Sequence, residues 1–342
     1  MNLNRREFAK MASFAAISGS LEDETPSLSG AISLILAPSN LGLRPNENGS
    51  QPGAWRAPQV LMNAGLAAAV SATDVLSLKR PAYELEAQFG TTIRNGLSIR
   101  AFSFELGEKV HEVLRSGRFP LVVGGDCSIL LGCLYGARLA GGRGLVHIDG
   151  HSDFFHPGNY DTANRLSSAA GMDLALASGR GELLLTHWLE IGRPLVQDAD
   201  VVQVGERDAE GPDFNESYGD IVRTGIMQIT IQGVLAEGVD NTARRVLTRL
   251  ESRELDNVWL HVDCDVLDQT VMPAVDSPGR PGFNFQQLGI LINELCHSGR
   301  IVGADFTIYD PERDPHGKYS KLLVDCIARG ISNRRLEWGP AQ

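Results

Sequence analysis

The chain has 342 residues, 43% of them hydrophobic, enough to bury a full α/β core as one large domain or two smaller ones, and one is the simpler expectation. A formal net charge of -11, from 31 Lys and Arg against 42 Asp and Glu without a long basic stretch, argues against a nucleic-acid surface and suits a cationic small molecule. The five cysteines (Cys127, Cys133, Cys264, Cys296, Cys326) are odd in number and form no CxxC pair, which excludes a disulfide framework and predicts mostly buried, reduced thiols.

Residues 1–30 read as a leader or disordered arm. Asn4-Arg5-Arg6-Glu7-Phe8-Ala9-Lys10 before a short, weakly apolar stretch is similar to a twin-arginine export signal. No A-x-A-like cleavage site follows, however, and Leu21-Glu22-Asp23-Glu24 turns acidic at once. A cytoplasmic protein is expected, with export as the alternative. No apolar run approaches the roughly 18 to 20 residues that span a membrane, so a soluble protein without membrane partners is expected.

Compact structure is expected over 31–342 as a single catalytic domain. It begins with a strand at 31–37, a Gly, Pro and Asn-rich loop at 38–52, a helix at 54–66 and a strand at 68–76. Phe102, Leu106, Val110 and Leu114 share one face of a helix predicted over 99–116 that stops at Gly117. Further on come an irregular stretch at 154–167, a helix at 169–178, strands at 201–205 and 227–231, and helices at 234–253, 285–297 and 319–331. Such alternation predicts a three-layer α/β/α fold with a mainly parallel central sheet.

Four apolar, strand-like runs end in polar clusters. Residues 119–123 lead to Gly124-Gly125-Asp126-Cys127-Ser128, and 144–148 lead to Asp149-Gly150-His151-Ser152-Asp153. Residues 258–262 lead to Asp263-Cys264-Asp265, and 301–304 lead to Asp305. In an open α/β sheet, ligands gather beyond the carboxyl ends of the strands, so these clusters can converge on one site. Asp149, His151 and Asp153 alternate at spacing two, as do Asp263 and Asp265, so each set falls on one side if its strand continues. Like charges so close repel unless cations neutralise them, which two divalent ions sharing carboxylates would do.

With these residues in view, the chain resembles the ureohydrolase family of arginase and agmatinase, whose motifs GGDHS, DAHxD and SxDxDxxDP occur in this order. The resemblance spans about residues 31–335 and includes the early stretch Gly53-Ala54-Trp55-Arg56-Ala57-Pro58. It implies an arginase-like fold and two divalent metal ions per chain, with manganese the family's usual choice. Asp149 and Asp263 would bridge the ions, His151 and Asp265 would complete one, and Asp153 and Cys127 the other, while Asp126 would support the site. The implied activity is hydrolysis of a C–N bond in a linear amidine or guanidine. The ions lower the pKa of a shared water, hydroxide attacks the amidine carbon, and Asp153 passes its proton to the leaving amine. The resemblance also implies a small cationic guanidino or amidino substrate and a homo-oligomer, trimeric or hexameric.

Four positions depart from the family pattern. Cys127 stands where most members have His; as a thiolate ligand it shifts preference toward zinc, nickel, iron or cobalt, and its bland reading is a buried structural thiol. A branch similar to hydroxyarginine hydrolases of antibiotic pathways also carries Cys there. Ile308 replaces the Glu that pairs with the guanidinium, leaving Thr307 to offer a hydroxyl. Ala170 stands near the family's proton-shuttling His, and His156 is the nearest substitute in sequence, or else a solvated loop residue. Phe155 falls where the family has an amino-acid-recognising Asn, with Asn159 close by. Glu206, Asp208 and Glu210 match a loop that contacts the substrate's amino end, or form a solvated acidic loop. His261, two residues before Asp263, could share its face. An N-hydroxyguanidine hydrolase is therefore an alternative to a guanidine hydrolase. A metal-binding paralogue without activity is a third reading, of a different class.

Overall fold

The computed structural model describes residues 31–160, 167–192, 194–209 and 216–331. The predicted arm at 1–30 and Glu210 lie outside them. Eight strands form one sheet in the order β2-β1-β3-β8-β7-β4-β5-β6, and every pairing is parallel. They are β1 (Ile32–Ala37), β2 (Asp74–Ser77), β3 (Phe119–Gly124), β4 (Gly144–Ile148), β5 (Val201–Val204), β6 (Met227–Ile229), β7 (Val258–Asp263) and β8 (Ile301–Thr307). Leu121, Val146, Leu260 and Ala304 bury toward one helical layer, and Val122, Leu145 and Trp259 toward the other. Burial on both faces is why the central strands read as continuous apolar runs rather than as alternating ones. Among the described residues, no helix is long and apolar enough to cross a membrane.

The strand order positions the site. The four runs that end in polar clusters are β3, β8, β7 and β4, consecutive neighbours in the middle of the sheet. Chain order cannot give this adjacency: between β3 and β4 the chain skips the places that β7 and β8 fill more than a hundred residues later.

Several expectations need correction. Ala68 and Ala69, expected to open a strand at 68–76, belong to a helical turn (Leu66–Ala69), because Leu-Ala-Ala-Ala favours helix; the strand starts only at Asp74. The helix expected over 234–253 is two, Ile231–Glu237 and Val239–Ser252, divided at Gly238, whose φ of 82° suits glycine. Most consequential is the end of β4 at Ile148. Asp149, His151 and Asp153 do not continue the strand, and Asp153 has a left-handed φ of 44°. Asp265 likewise sits in a short 3-10 turn after Asp263, the last residue of β7.

Candidate metal centre

Asp263 builds its own turn: Oδ1 accepts a hydrogen bond from the backbone N–H of Asp265 at 2.6 Å. Asp149 does the same with the N–H of His151 at 2.7 Å. Each first carboxylate of a pair thus folds the loop that presents the second. One oxygen from each of Asp149, Asp263 and Asp265 falls in a group spanning no more than 4.8 Å, and so do donor atoms of Asp149, His151 and Asp153. His151 Nδ1 lies 3.0 Å from Asp265 Oδ2. Cys127, at the turn after β3, is wholly buried and donates from Sγ to Asp263 Oδ2 at 2.8 Å, with Thr307 Oγ1 at 3.1 Å.

The electrostatics show why this cluster calls for cations. Three unit charges no more than 4.8 Å apart repel by at least about 3.5 kcal/mol per pair at an effective dielectric of ~20. The sum, roughly 10 kcal/mol, rivals the whole stability of a typical domain. Protons accordingly bind tightly. Burial, followed by the charge of Asp265, pushes the Asp149 carboxyl up to about 6. Burial and neighbouring carboxylates hold Asp153 and Asp263 well above the usual range, and burial with Asp263 does the same to the Cys127 thiol. Burial opposes charge on Asp265 too, yet His151 and Arg207 outweigh it and leave its pKa lowered. Burial would also depress His151, but Asp265 raises it to about 10. Asp149 Oδ2, fully buried, has no hydrogen-bond partner. A carboxylate-rich donor set with an orphaned buried oxygen fits divalent metal ions.

The cluster opens onto a cavity of about 830 Å³ lined by Cys127, His151, Asp153, Asp263 and Asp265. Phe155, Ala170 and Ile308 also line it, so the four positions expected to depart from the family pattern share one cavity. Ile308 is 3% exposed and has a left-handed φ of 69°, a strained conformation for a β-branched residue.

Other predicted residues are placed elsewhere. His156 Nε2 lies 3.2 Å from Asp220 Oδ2, and its Nδ1 accepts from the N–H of Gly158 at 3.1 Å. Asn159 accepts from the N–H of His156 and donates to Asp220 Oδ2 at 3.0 Å. Neither is among the cavity-lining residues; their loop's own polar groups hold them. Thr307 turns to Cys127 rather than the cavity. Asp208 donates its N–H to Glu206 Oε1 at 2.6 Å, and Glu206 is buried, not solvated.

Sequence reading missed three participants. Arg207 lies under the site and donates to the backbone carbonyl of Asp265. It fits only because residue 150 is Gly, whose added Cβ would come within 2.0 Å of Arg207 Nη2. Asp276 lines the cavity wall 3.8 Å from Arg313, and burial raises its pKa. Asp173 is buried beside His147 and His261. Asp173 had a signal, an acid in an otherwise apolar helix; Asp276 had none.

A parallel sheet with chelating carboxylates at the ends of adjacent central strands defines a metal-dependent hydrolase class. The model of the arginase family matches residues 31–331, and the chain belongs to that family. Arginase of Bacillus subtilis is 28% identical over 245 residues, 71% of this chain and 79% of that one. Arginase of Bacillus caldovelox is 29% identical over 247 residues, 71% and 78% of the two chains. The crystal structure of the Bacillus caldovelox arginase matches with a TM-score of 0.76 at 25% identity, over 90% of this chain and 99% of that one. The chain is therefore a hydrolase of the ureohydrolase class, and its family implies divalent metal ions and small guanidino substrates.

Proposed function

We propose that the chain hydrolyses a C–N bond of a linear guanidine or amidine with two divalent ions. One would be held by Asp149, His151, Asp263 and Asp265, the other by Cys127, Asp149, Asp153 and Asp263. What carries the reading is the buried Asp149, Asp263 and Asp265 group meeting His151 and Asp153 at the floor of the cavity. Bound there, the ions supply Lewis-acid activation of water near neutral pH. Asp153 faces the cavity, where its carboxylate would take a proton from the attacking water and hand it to the departing amine. Asp276 is a partner for the substrate's cationic end, since it lines the cavity and belongs to none of the metal-ligating groups found among the described residues.

Ile308 favours a second reading within the class. Its buried side chain offers the guanidinium no charge-assisted pair. An N-hydroxyguanidine is less basic and loses less there. The test loads the purified chain with manganese, zinc, nickel, iron or cobalt, counts ions by elemental mass spectrometry, and follows urea and hydroxyurea release from guanidines and N-hydroxyguanidines, and ammonia from amidines. Two ions per chain with urea release supports the first reading, and hydroxyurea release alone selects the second. Fewer than two ions after every reconstitution overturns the binuclear reading.

A further inference from the structure

Beneath the cavity floor lies a second set of metal-ligating side chains, none of which lines the cavity except Cys127. The sheet register assembles it. His147 of β4 pairs with His261 of β7, and His261 pairs with Asp305 of β8, so the three stand in one row across adjacent strands. The rings of His147 and His261 stack with centroids 4.8 Å apart. Asp173, at the start of the helix Asp173–Ala177, comes down on the row, with Oδ1 3.3 Å from His147 Nε2 and Oδ2 3.7 Å from His261 Nε2. All four side chains are completely buried.

We propose that Cys127, Asp173 and His261 bind a thiophilic divalent cation of the zinc class in this buried site. Donor atoms of Cys127, Asp173 and His261 lie within 4.8 Å of one another, and His147, Asp149 and His261 form a second such group that adjoins it. Two of the atoms concerned, His261 Nε2 and Asp173 Oδ2, are buried without a hydrogen-bond partner. Leaving a buried polar atom unpaired is costly, so a ligand that engages both removes a substantial penalty.

Tautomer and spacing both suit a metal. Asp305 Oδ2 lies 2.6 Å from His261 Nδ1, and Asp305 Oδ1 is held by the indole N–H of Trp259. A carboxylate anchored in this way takes Nδ1 as its donor and leaves Nε2 directed toward Asp173, as the outer partner of a metal-binding histidine does. At 3.7 Å, His261 Nε2 and Asp173 Oδ2 are too far apart for a hydrogen bond. Zinc bonds of about 2.0 Å to N and O and 2.3 Å to S place neighbouring tetrahedral ligands roughly 3.3–3.6 Å apart, close to that separation. A sulfur, nitrogen and oxygen donor set selects zinc or cobalt over manganese or magnesium.

The inference touches the proposed function only through Cys127, whose Sγ stands at the boundary between the two sites, 2.8 Å from Asp263 Oδ2. Diffraction from the zinc-loaded full chain, recorded on both sides of the zinc absorption edge, tests it without a substitution. The expected result is an anomalous peak bounded by Cys127, Asp173 and His261. Zinc confined to the face formed by Asp149, His151 and Asp265 overturns the inference and leaves the proposed function intact. Zinc in the buried site alone supports the inference and overturns the binuclear reading; zinc in neither place overturns both. In solution, the thiolate-to-cobalt charge-transfer band reports the ion that carries Cys127. Asp173→Asn and His261→Gln should weaken cobalt binding by this measure at least tenfold, and Asp153→Asn should not. The reverse pattern would place the thiolate-bound ion at the cavity face, and metal-free thermal melts show whether each variant has folded.

Discussion

Asp126 ties the loop at 38–52 to the turn that presents Cys127, and removing its carboxylate should loosen both. The side chain is completely buried. Oδ1 accepts from Ser39 Oγ at 2.6 Å, and Oδ2 accepts from the N–H of Gly42 at 2.9 Å and of Ser128 at 3.0 Å. Asp126→Ala strands three buried donors. At roughly 1–3 kcal/mol each the loss would be ~3–9 kcal/mol, and partial relaxation should bring it near 4 kcal/mol, the upper range for single substitutions. Asp126→Asn should cost much less. Its amide oxygen can keep both backbone N–H groups, its NH₂ can face Ser39, and that hydroxyl can rotate to accept. Only charge assistance is lost, about 1–2 kcal/mol. Urea unfolding of the metal-free variants measures both values, provided the m-value is unchanged. If Ala and Asn cost the same, or Ala costs below about 1 kcal/mol, the supporting role argued for Asp126 is wrong.

Gly150→Ala would drive a Cβ to within 2.0 Å of Arg207 Nη2, so it should destabilise the chain by about 2–3 kcal/mol. Arg207→Ala should recover part of that loss in a double-mutant cycle, and strictly additive effects would refute the contact. Ile308→Glu restores a carboxylate to the cavity wall; one charge-assisted pair, about 1.4 kcal/mol, should move the kcat/KM ratio roughly tenfold toward guanidines over N-hydroxyguanidines, and an unchanged ratio refutes the role given to this wall. The last prediction concerns pH. Because the folded-state pKa of Asp149, about 6, exceeds its unfolded value, its contribution to metal-free stability is complete below about pH 4 and is lost as pH rises through 6. Metal ions compete for the same oxygens, so affinity should fall as pH drops below about 6, and ion binding should release protons there. Calorimetric titrations in two buffers of different ionisation enthalpy check this, and equal affinity at pH 5 and 7 would contradict it.

The fold and the clustered carboxylates were legible in sequence for one physical reason: both depend on local pattern. Buried parallel strands are continuous apolar runs, and a carboxylate placed where such a run stops has few structural uses. The alternation that would hold if β4 continued through Asp153 does not occur. The loop after Ile148 brings Asp149, His151 and Asp153 together by a different path, with the first carboxylate accepting from the N–H two residues on. Residues assigned to the substrate by proximity in sequence fared otherwise. His156 and Asn159 follow the metal motif closely, yet the polar groups of their own loop and Asp220 hold them away from the cavity. Proximity along a loop says little about direction, because a loop's backbone consumes its own side chains as caps and turn partners.

What sequence could not supply is the meeting of elements distant in the chain, and there this molecule differs from a simple copy of its family's motifs. Cys127, Phe155, Ala170 and Ile308 come from four separate segments, yet they line one cavity. The same holds below the floor. Asp173 is an acid in an apolar helical segment, costly to bury by itself. Its place opposite His261 and Cys127 becomes intelligible only when sheet register, helix position and the β3 turn are combined. Asp173 and His261 each leave a buried polar atom unpaired beside the Cys127 thiol, and a divalent ion engages all three groups where a proton satisfies one.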